Sequence, residues 1–237
     1  MPKLPLIRRL LKLFHPEGIP WPGTVVYNWA SSTGMFQRHY ELVAKHILGF
    51  CAQGSLLDVG TGPGWLLLKL HEQCPNMKLV GCDVSAPMVV KTRKNIAEAG
   101  FSDLIEVRDS NADQMPFADA FFDIVVSTGS IHHWKVPVKG LNEVYRVLKP
   151  GGYALMYDLV SDTPEPIFDE MRSEFGQLKM MLFWLHSFEE PFYTRESFGQ
   201  LARETLFKQG QTEFVGVLCC LKMQKSQEGI GCEDQSS

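Results

Sequence analysis

Three glycines fall within five residues at Gly60-Thr61-Gly62-Pro63-Gly64, directly after the apolar run Ser55–Val59 and just before a leucine-rich stretch. A strand that ends in such a turn and re-enters a helix opens a β-α unit, and its glycines let backbone approach a ligand that a Cβ would exclude. The pattern then repeats. Strand-like runs occur at Ser55–Val59, Lys78–Cys82, Leu104–Val107, Phe122–Ser127 and Tyr153–Tyr157, with helical periodicity near Pro63–Gln73, Pro87–Ala99 and Val138–Leu148. Ser85 stands as the N-cap of the second of these helices and Gly100 as its stop. Repeated β-α units predict an α/β fold, a parallel sheet with helices on both faces, which binds ligands at the carboxyl ends of its strands.

The flanks read differently. Met1–Phe14 is basic and amphipathic, with Leu4, Ile7, Leu11 and Phe14 on one face, and Pro16, Pro20 and Pro22 make the next residues irregular. A helix is expected near Met35–Phe50. After the strand series, Ile167–Leu185 has the periodicity of one long helix with apolar surface spilling around it, and Thr194 caps another that runs to about Leu206. Gln211–Val215 and Val217–Lys222, parted only by Gly216, predict either an antiparallel hairpin or one bent strand. The expected organisation is an N-terminal helical lid over 1–50, one domain over 51–225 with a helical insertion at about 162–190, and a flexible tail over 226–237.

Composition excludes several classes. A net charge of -4 over 237 residues gives no general attraction to nucleic acid. No run approaches the ~20 apolar residues of a membrane span, and the N-terminus lacks a signal peptide's pattern. The six cysteines form no C-x-x-C pair, which fits reduced thiols in a cytoplasmic protein. Cys219, Cys220 and Cys232 match no zinc spacing, so no metal site is expected.

The glycine turn is not a dinucleotide fingerprint. That motif is G-x-G-x-x-G, and here Gly60, Gly62 and Gly64 are followed by Trp65 in the slot of the third glycine, which serves close helix–strand packing. Tyr145 and Lys149 reproduce the Tyr-x-x-x-Lys spacing of short-chain dehydrogenases, but Pro150-Gly151-Gly152 follows at once, so Lys149 ends its helix and Tyr145 is read as core-facing. What remains is a turn that approaches a ligand without a pyrophosphate. An acid, Asp83, ends the second strand about 20 residues on, where it accepts both hydroxyls of a ribose.

These segments resemble the class I S-adenosylmethionine-dependent methyltransferases. "LLDVGTGPG" is similar to their first motif and "LVGCDVSAPMVVKTRKN" to the second strand with its ribose-binding acid. "ADQMPFADAFFDIVVSTGSIHHW" resembles the stretch through the fourth strand, and "EVYRVLKPGGYALMYD" the approach to the fifth. The resemblance runs from about Gly54 to Asp158 and is nearest to the small-molecule branch that includes the quinone C-methyltransferases. It implies a Rossmann-like seven-stranded sheet, mostly parallel with the last strand antiparallel, and S-adenosyl-L-methionine as cofactor. It also implies roles. Gly60, Thr61 and Gly62 would pass under the methionyl part, with Asp58 orienting them and the ligand's ammonium. Asp83 would take the ribose, while Val84 and Met88 line the adenine. Asn111 and Ala112 stand where the family has Asp-Ala, and the Asn oxygen still accepts the adenine amino hydrogen, without charge assistance. Ser127 and Gly129 would face the methionine and the reaction centre.

Methyl transfer from a sulfonium is an in-line displacement, and a base is needed only for an acceptor that arrives protonated. His132 and His133, after the fourth strand, are the candidate bases; the alternative is that His-His-Trp only fixes the loop. Tyr27 and Trp29 are candidates to close over the cofactor, with plain packing the alternative for Trp29. The apolar excess of Ile167–Leu185 suits either a hydrophobic or aromatic small-molecule acceptor or a homodimer contact. Met1–Phe14 suits either a lid or peripheral contact with anionic lipid. Ser127-Thr128-Gly129-Ser130 replaces the Asn/Asp-Pro-Pro-aromatic motif of DNA amino-methyltransferases. A non-catalytic S-adenosylmethionine-binding sensor or scaffold is the alternative to an enzyme.

Overall fold

The computed structural model describes residues 34–176 and 193–227. The elements, in chain order, are α1 (Gly34–Leu48), β1 (Ser55–Val59), α2 (Trp65–Gln73), β2 (Lys78–Asp83), α3 (Ala86–Glu98), β3 (Ile105–Asp109) and β4 (Phe122–Thr128). After a 3-10 turn at Ile131–His133 come α4 (Pro137–Val147), β5 (Leu148–Asp158), α5 (Glu165–Phe175), α6 (Arg195–Glu204), β6 (Gln211–Val215) and β7 (Leu218–Gln224). They build one seven-stranded sheet in the order β3-β2-β1-β4-β5-β7-β6. β1 to β5 pair in parallel, and β7 runs antiparallel between β5 and β6.

Alternation along each strand sorts the core into two layers. Leu56 of β1, Val126 of β4 and Tyr157 of β5 turn toward α1, α2 and α3, where Val43, Ile47, Leu67, Leu70 and Ile96 pack. Leu57, Val125 and Met156 turn to the other face, covered by Leu141 and Val144 of α4 and Phe198 and Leu201 of α6. Every residue of β1 is buried, as a central parallel strand with both faces covered requires.

Several elements differ from the sequence expectation. β5 begins at Leu148, not Tyr153: Phe122 pairs Leu148 and Ile124 pairs Tyr153, so Lys149–Gly152 bulges from the ladder. Lys149 is held there by Asp123 at 2.8 Å, and Asp123 also accepts from the Ser55 N–H and hydroxyl, each at 2.8 Å, tying the amino ends of β1, β4 and β5. Tyr145 packs against the core as expected, though only half-buried, with its ring on Phe207 and its hydroxyl 3.2 Å from that of Ser226. Ser85 occupies the N-cap position, but its hydroxyl makes no capping bond. Ile167–Leu185 is not one helix: α5 ends at Phe175, where Gly176 at φ +82° turns the chain out of helical geometry. The rest of that stretch lies outside the described residues, as do Met1–Phe14, Tyr27, Trp29 and the tail from residue 228.

Other expectations hold. Thr194 caps α6 in a reciprocal pair with Ser197. Gly216 at φ +57° closes a β6–β7 hairpin, which decides between the two readings of that region. Among the described residues no helix is long and apolar enough to cross a membrane.

Candidate functional site

The sheet order sets the site. From β1 the chain moves outward through β2 to β3, then returns to the opposite side of β1 as β4. At that reversal the connections leave β1 and β4 in opposite directions, so a crevice opens at their carboxyl ends. An open cleft of ≈ 840 Å³ lies there. Its walls are the turn after β1, the end of β2, the loop after β3 and the loop after β4.

The glycine turn is braced from beneath. Gly60 N–H and Thr61 N–H both donate to Cys82 C=O, at 2.8 and 3.0 Å, and Gly62 N–H donates to Asp83 Oδ2 at 2.9 Å. These three amides therefore point into the protein, and the turn offers no nest of N–H groups to a phosphate. Gly64, at φ +82°, takes the close-packing role left vacant by Trp65. A Cβ on it would stand 2.6 Å from Thr92 of α3, while Trp65 packs, half-buried, against the core on the α1 side. Gly60, at φ +74°, faces the loop after β4: a Cβ there would meet the Ser130 hydroxyl at 2.1 Å.

One acid lines the cleft, Asp83, and a second, Asp58, is buried near it. Asp58 is 2% exposed; Oδ2 accepts from the Thr61 hydroxyl at 2.8 Å, and Oδ1 has no partner among the described residues. Burial pushes its carboxyl up to about 7, against the pull of the Thr61 bond and with a further push from Asp83. Asp83, at the end of β2, is also raised by burial, opposed by N–H bonds from Ser85 to Oδ1 and Gly62 to Oδ2, both 2.9 Å. Each of its oxygens keeps a second acceptor position, so two lie side by side.

The sequence candidates divide cleanly. Gly60, Gly62, Asp83, Val84, Met88, Asn111, Ala112, Gly129 and His133 line the cleft. Asp58 and Thr61 are buried beneath it. Ser127 does not line it: alternation along β4 turns it to the α4 side, 1% exposed, and the residue beside the cleft is Thr128, whose hydroxyl has no partner among the described residues. β4 runs one residue further than its apolar run suggests, which displaced that reading by one. His132 also lies off the cleft, with its ring on the buried Asp158. Sequence reasoning missed Asp158, along with Ser130, Trp134 and Lys135 of the wall. Trp134 Nε1 donates to Ser130 Oγ at 3.0 Å, and its ring fills the space over Gly140, where a Cβ would lie 2.5 Å from it.

A seven-stranded sheet with a glycine turn after β1, an acid at the end of β2 and a cleft at the β1/β4 reversal is a Rossmann-like fold. Comparison with known proteins agrees. Residues 57–156 match the family described as "Methyltransferase domain". The chain is 35% identical over 127 residues to the demethylmenaquinone methyltransferase of Symbiobacterium thermophilum, covering 53% of this chain and 50% of that protein. It is 29% identical over 191 residues to the demethylmenaquinone methyltransferase of Lactiplantibacillus plantarum, covering 77% and 75%. The chain thus spans about half the length of the first relative and three-quarters of the second. A Methanococcus maripaludis structure assigned to the S-adenosyl-L-methionine-dependent methyltransferases superposes with a TM-score of 0.69 at 22% identity, covering 92% of this chain and 100% of that one. That likeness is one of fold.

Proposed function

We propose that this protein is an S-adenosylmethionine-dependent methyltransferase whose acceptor is a small apolar or aromatic molecule of the quinone type. The observation that carries the cofactor assignment is the pair of acids under the glycine turn. Asp83 presents two adjacent acceptor positions, which suit the vicinal hydroxyls of a ribose. Asp58 Oδ1 is a buried carboxylate oxygen with no partner among the described residues, the kind of group that an ammonium satisfies. The braced turn between them has no amides to offer a pyrophosphate, which speaks against a dinucleotide. Val84, Met88 and Ala112 supply apolar walls for a purine, with Asn111 at its edge.

When bound, the cofactor supplies a sulfonium-activated methyl group. The protein's own contribution is alignment and exclusion of water. Thr128, Gly129 and Ser130, at the end of β4, face the space where an acceptor meets that methyl. His133 stands on the same wall and Trp134 closes it against α4. The acceptor class is supported by the names of the two relatives, both methyltransferases of demethylmenaquinone. The five free cysteines among the described residues support a cytoplasmic location. Of the 1–50 segment expected as a lid, α1 packs Val43, Ala44 and Ile47 into the core and so belongs to the domain.

The test is calorimetry with S-adenosylmethionine and NADH, followed by turnover with a hydroquinone acceptor and detection of S-adenosylhomocysteine. Binding of S-adenosylmethionine and acceptor-dependent product are expected. Binding of NADH in its place overturns the cofactor assignment, and binding without turnover across quinone-type acceptors overturns the acceptor class.

A further inference from the structure

The carboxylate end of the cofactor finds no donor in the turn after β1. Gly60, Thr61 and Gly62 donate their N–H groups inward, Gly64 N–H donates to Thr61 C=O at 3.0 Å, and Pro63 has none. Trp65, Leu66 and Leu67, at the start of α2, are not among the described residues that line the cleft. Asp83 and Asp58 suit the ribose and the ammonium, and as acids they repel a carboxylate whenever they are ionised. Donors for the anionic end therefore come from another wall.

The loop after β4 carries an oriented one. Ser130 opens the 3-10 turn Ile131–His133 but its hydroxyl makes no capping bond. His133 N–H donates to Ser130 C=O at 3.0 Å and Trp134 N–H to Ile131 C=O at 3.1 Å, which brings the indole back over Ser130. Trp134 Nε1 lies 3.0 Å from Ser130 Oγ. An indole N–H only donates, so Ser130 Oγ is the acceptor here and its own hydrogen is left to donate elsewhere. Among the described residues nothing accepts that hydrogen. The oxygen is placed from both sides. A Cβ on Gly60 would meet it at 2.1 Å, so it rests on the glycine turn, and the Trp134 ring is seated on Gly140, where a Cβ would lie 2.5 Å away. Thr128, the other hydroxyl at the end of β4, has no partner among the described residues and is committed neither to donating nor to accepting.

Charge favours the same wall. Lys135 is the one lysine or arginine among the described residues that line the cleft, and it follows Trp134 directly, whereas Asp83 and Asp113 stand after β2 and β3. We infer that Ser130, oriented by Trp134, donates to the carboxylate of the methionyl group and so holds that end of the cofactor from the loop after β4. The inference rests on the methyltransferase reading of the cleft and deepens it. The turn gives shape, the two acids take the ribose and the ammonium, and the seam between turn and loop takes the anion. Trp134 is a positioning residue in this arrangement, since its N–H acts only through Ser130.

Calorimetry on the full chain with two probes isolates the carboxylate: S-adenosylmethionine, and decarboxylated S-adenosylmethionine, which keeps the adenosine, the sulfonium and the ammonium. The proteins are wild type, Ser130→Ala and Trp134→Phe, each with its Tm. Ser130→Ala should weaken S-adenosylmethionine about 10-fold or more, the factor for one hydrogen bond to a charged group, and leave the decarboxylated probe within about twofold. Trp134→Phe keeps a ring over Gly140 and loses the N–H, so the Ser130 hydroxyl is free to turn. It should weaken S-adenosylmethionine about threefold, again without moving the decarboxylated probe, and it carries the test if Ser130→Ala does not fold. Equal losses for both probes would make Ser130 a spacer between turn and loop and overturn the inference, as would unchanged affinity for both; either result leaves the methyltransferase reading standing. A folded wild type that binds neither probe overturns that reading and this inference with it.

Discussion

Asp58, one residue short of the end of β1, and Asp83, at the end of β2, lie on neighbouring parallel strands, yet their carboxylates are held in opposite ways. Asp83 receives a backbone N–H on each oxygen, from Ser85 and Gly62, and its position is set by the same turn that shapes the cleft. Asp58 has a single donor, the Thr61 hydroxyl, and one buried oxygen with no partner among the described residues. Backbone donors cannot be withdrawn by a side-chain change, so Asp83 is a fixed acceptor. Asp58 is a carboxylate whose charge waits on a cation. The first suits a neutral diol and the second an ammonium. Neighbouring acids on one sheet thus become different tools through their donors alone.

The widest separation between the two should appear in the stability of the ligand-free protein. Asp58 is raised from 3.8 to about 7, so the folded chain holds its proton more tightly than the unfolded chain does. Below about pH 4 both states are protonated and this stability is fully present. As pH rises toward 7 the unfolded state releases the proton first, and stability is lost through the folded value. The difference corresponds to about 4 kcal/mol at most, at ~1.4 kcal/mol per pH unit. Denaturant unfolding at pH 5 and pH 8 measures it. Asp58→Asn should flatten the fall from pH 5 to 8 relative to wild type, and an unchanged slope would put the two acids on the same footing. Asp123 and Glu143, both lowered by their cationic partners, act with the opposite sign at lower pH and cancel in the wild-type-to-variant difference.

Next in size is cofactor binding at Asp83. Asp83→Ala removes both acceptors and should weaken S-adenosylmethionine by about 1.5–3 kcal/mol, the scale of hydrogen bonds to a charged group. The variant's Tm must accompany the measurement, because the Gly62 N–H loses its partner as well. Calorimetry that returns wild-type affinity from a folded Asp83→Ala would remove the diol from this acid and leave the comparison without its fixed member.

Much of this site is legible in the sequence, and the legible part has a common cause. Strand ends, glycine turns and acids at fixed offsets are local features, so Gly60, Gly62, Asp83 and Asn111 all reach the cleft as their order along the chain implies. What escaped is non-local or depends on strand parity. Thr128 takes the place expected for Ser127 because β4 continues one residue beyond its apolar run, and a shift of one turns a side chain to the other face. The Asp158–His132 contact joins residues 26 apart through two loop geometries, which no periodicity records. Ile167–Leu185 misled because apolar spacing continues through Gly176, whose backbone conformation ends α5. The bulge at Lys149–Gly152 is a register event between β4 and β5, and register is a property of pairs.

Thr61 gives a smaller and more selective handle on Asp58. If an ammonium must find that carboxylate ionised, affinity for S-adenosylmethionine should fall as pH drops below about 7. Thr61→Val removes the one donor to Asp58 among the described residues and raises its carboxyl further, so the break in affinity moves to higher pH. At pH 7 the expected loss is about 0.5–1.5 kcal/mol, shrinking at pH 8 as the carboxylate ionises again. Calorimetry at pH 6, 7 and 8 checks both points. A loss that is equal at all three would mean that Thr61 shapes the turn without tuning the acid.

The smallest effect is expected at Asn111, and its sign depends on the two acids. Asn111 lines the cleft from the loop after β3, and its Oδ1 accepts from the Asp113 N–H at 3.4 Å, a long contact that holds the amide in place. Changing Asn111 to Asp strengthens the acceptor offered to an adenine amino group, because a charged acceptor makes a stronger bond than a neutral one. The same change adds a charge to a site that already contains Asp83 and Asp58, with Asp109 and Asp113 close by, and Asp83 is already raised by burial and by Asp109. Gain and repulsion are each of the order of 1 kcal/mol in a partly exposed cleft. Asn111→Asp should therefore bind S-adenosylmethionine within about threefold of wild type at pH 8, above the value of about 7 for Asp58. Repulsion eases as Asp58 takes up its proton, so the variant should improve relative to wild type toward pH 6. Asn111→Leu keeps the volume and loses the acceptor, and should weaken binding by about 1 kcal/mol at every pH. Equal affinities for all three proteins would mean that adenine is held by Val84, Met88 and backbone alone. A pH-independent gain in Asn111→Asp would show that the acids of the cleft do not sense one another, and the contrast between Asp58 and Asp83 would then rest on their donors only.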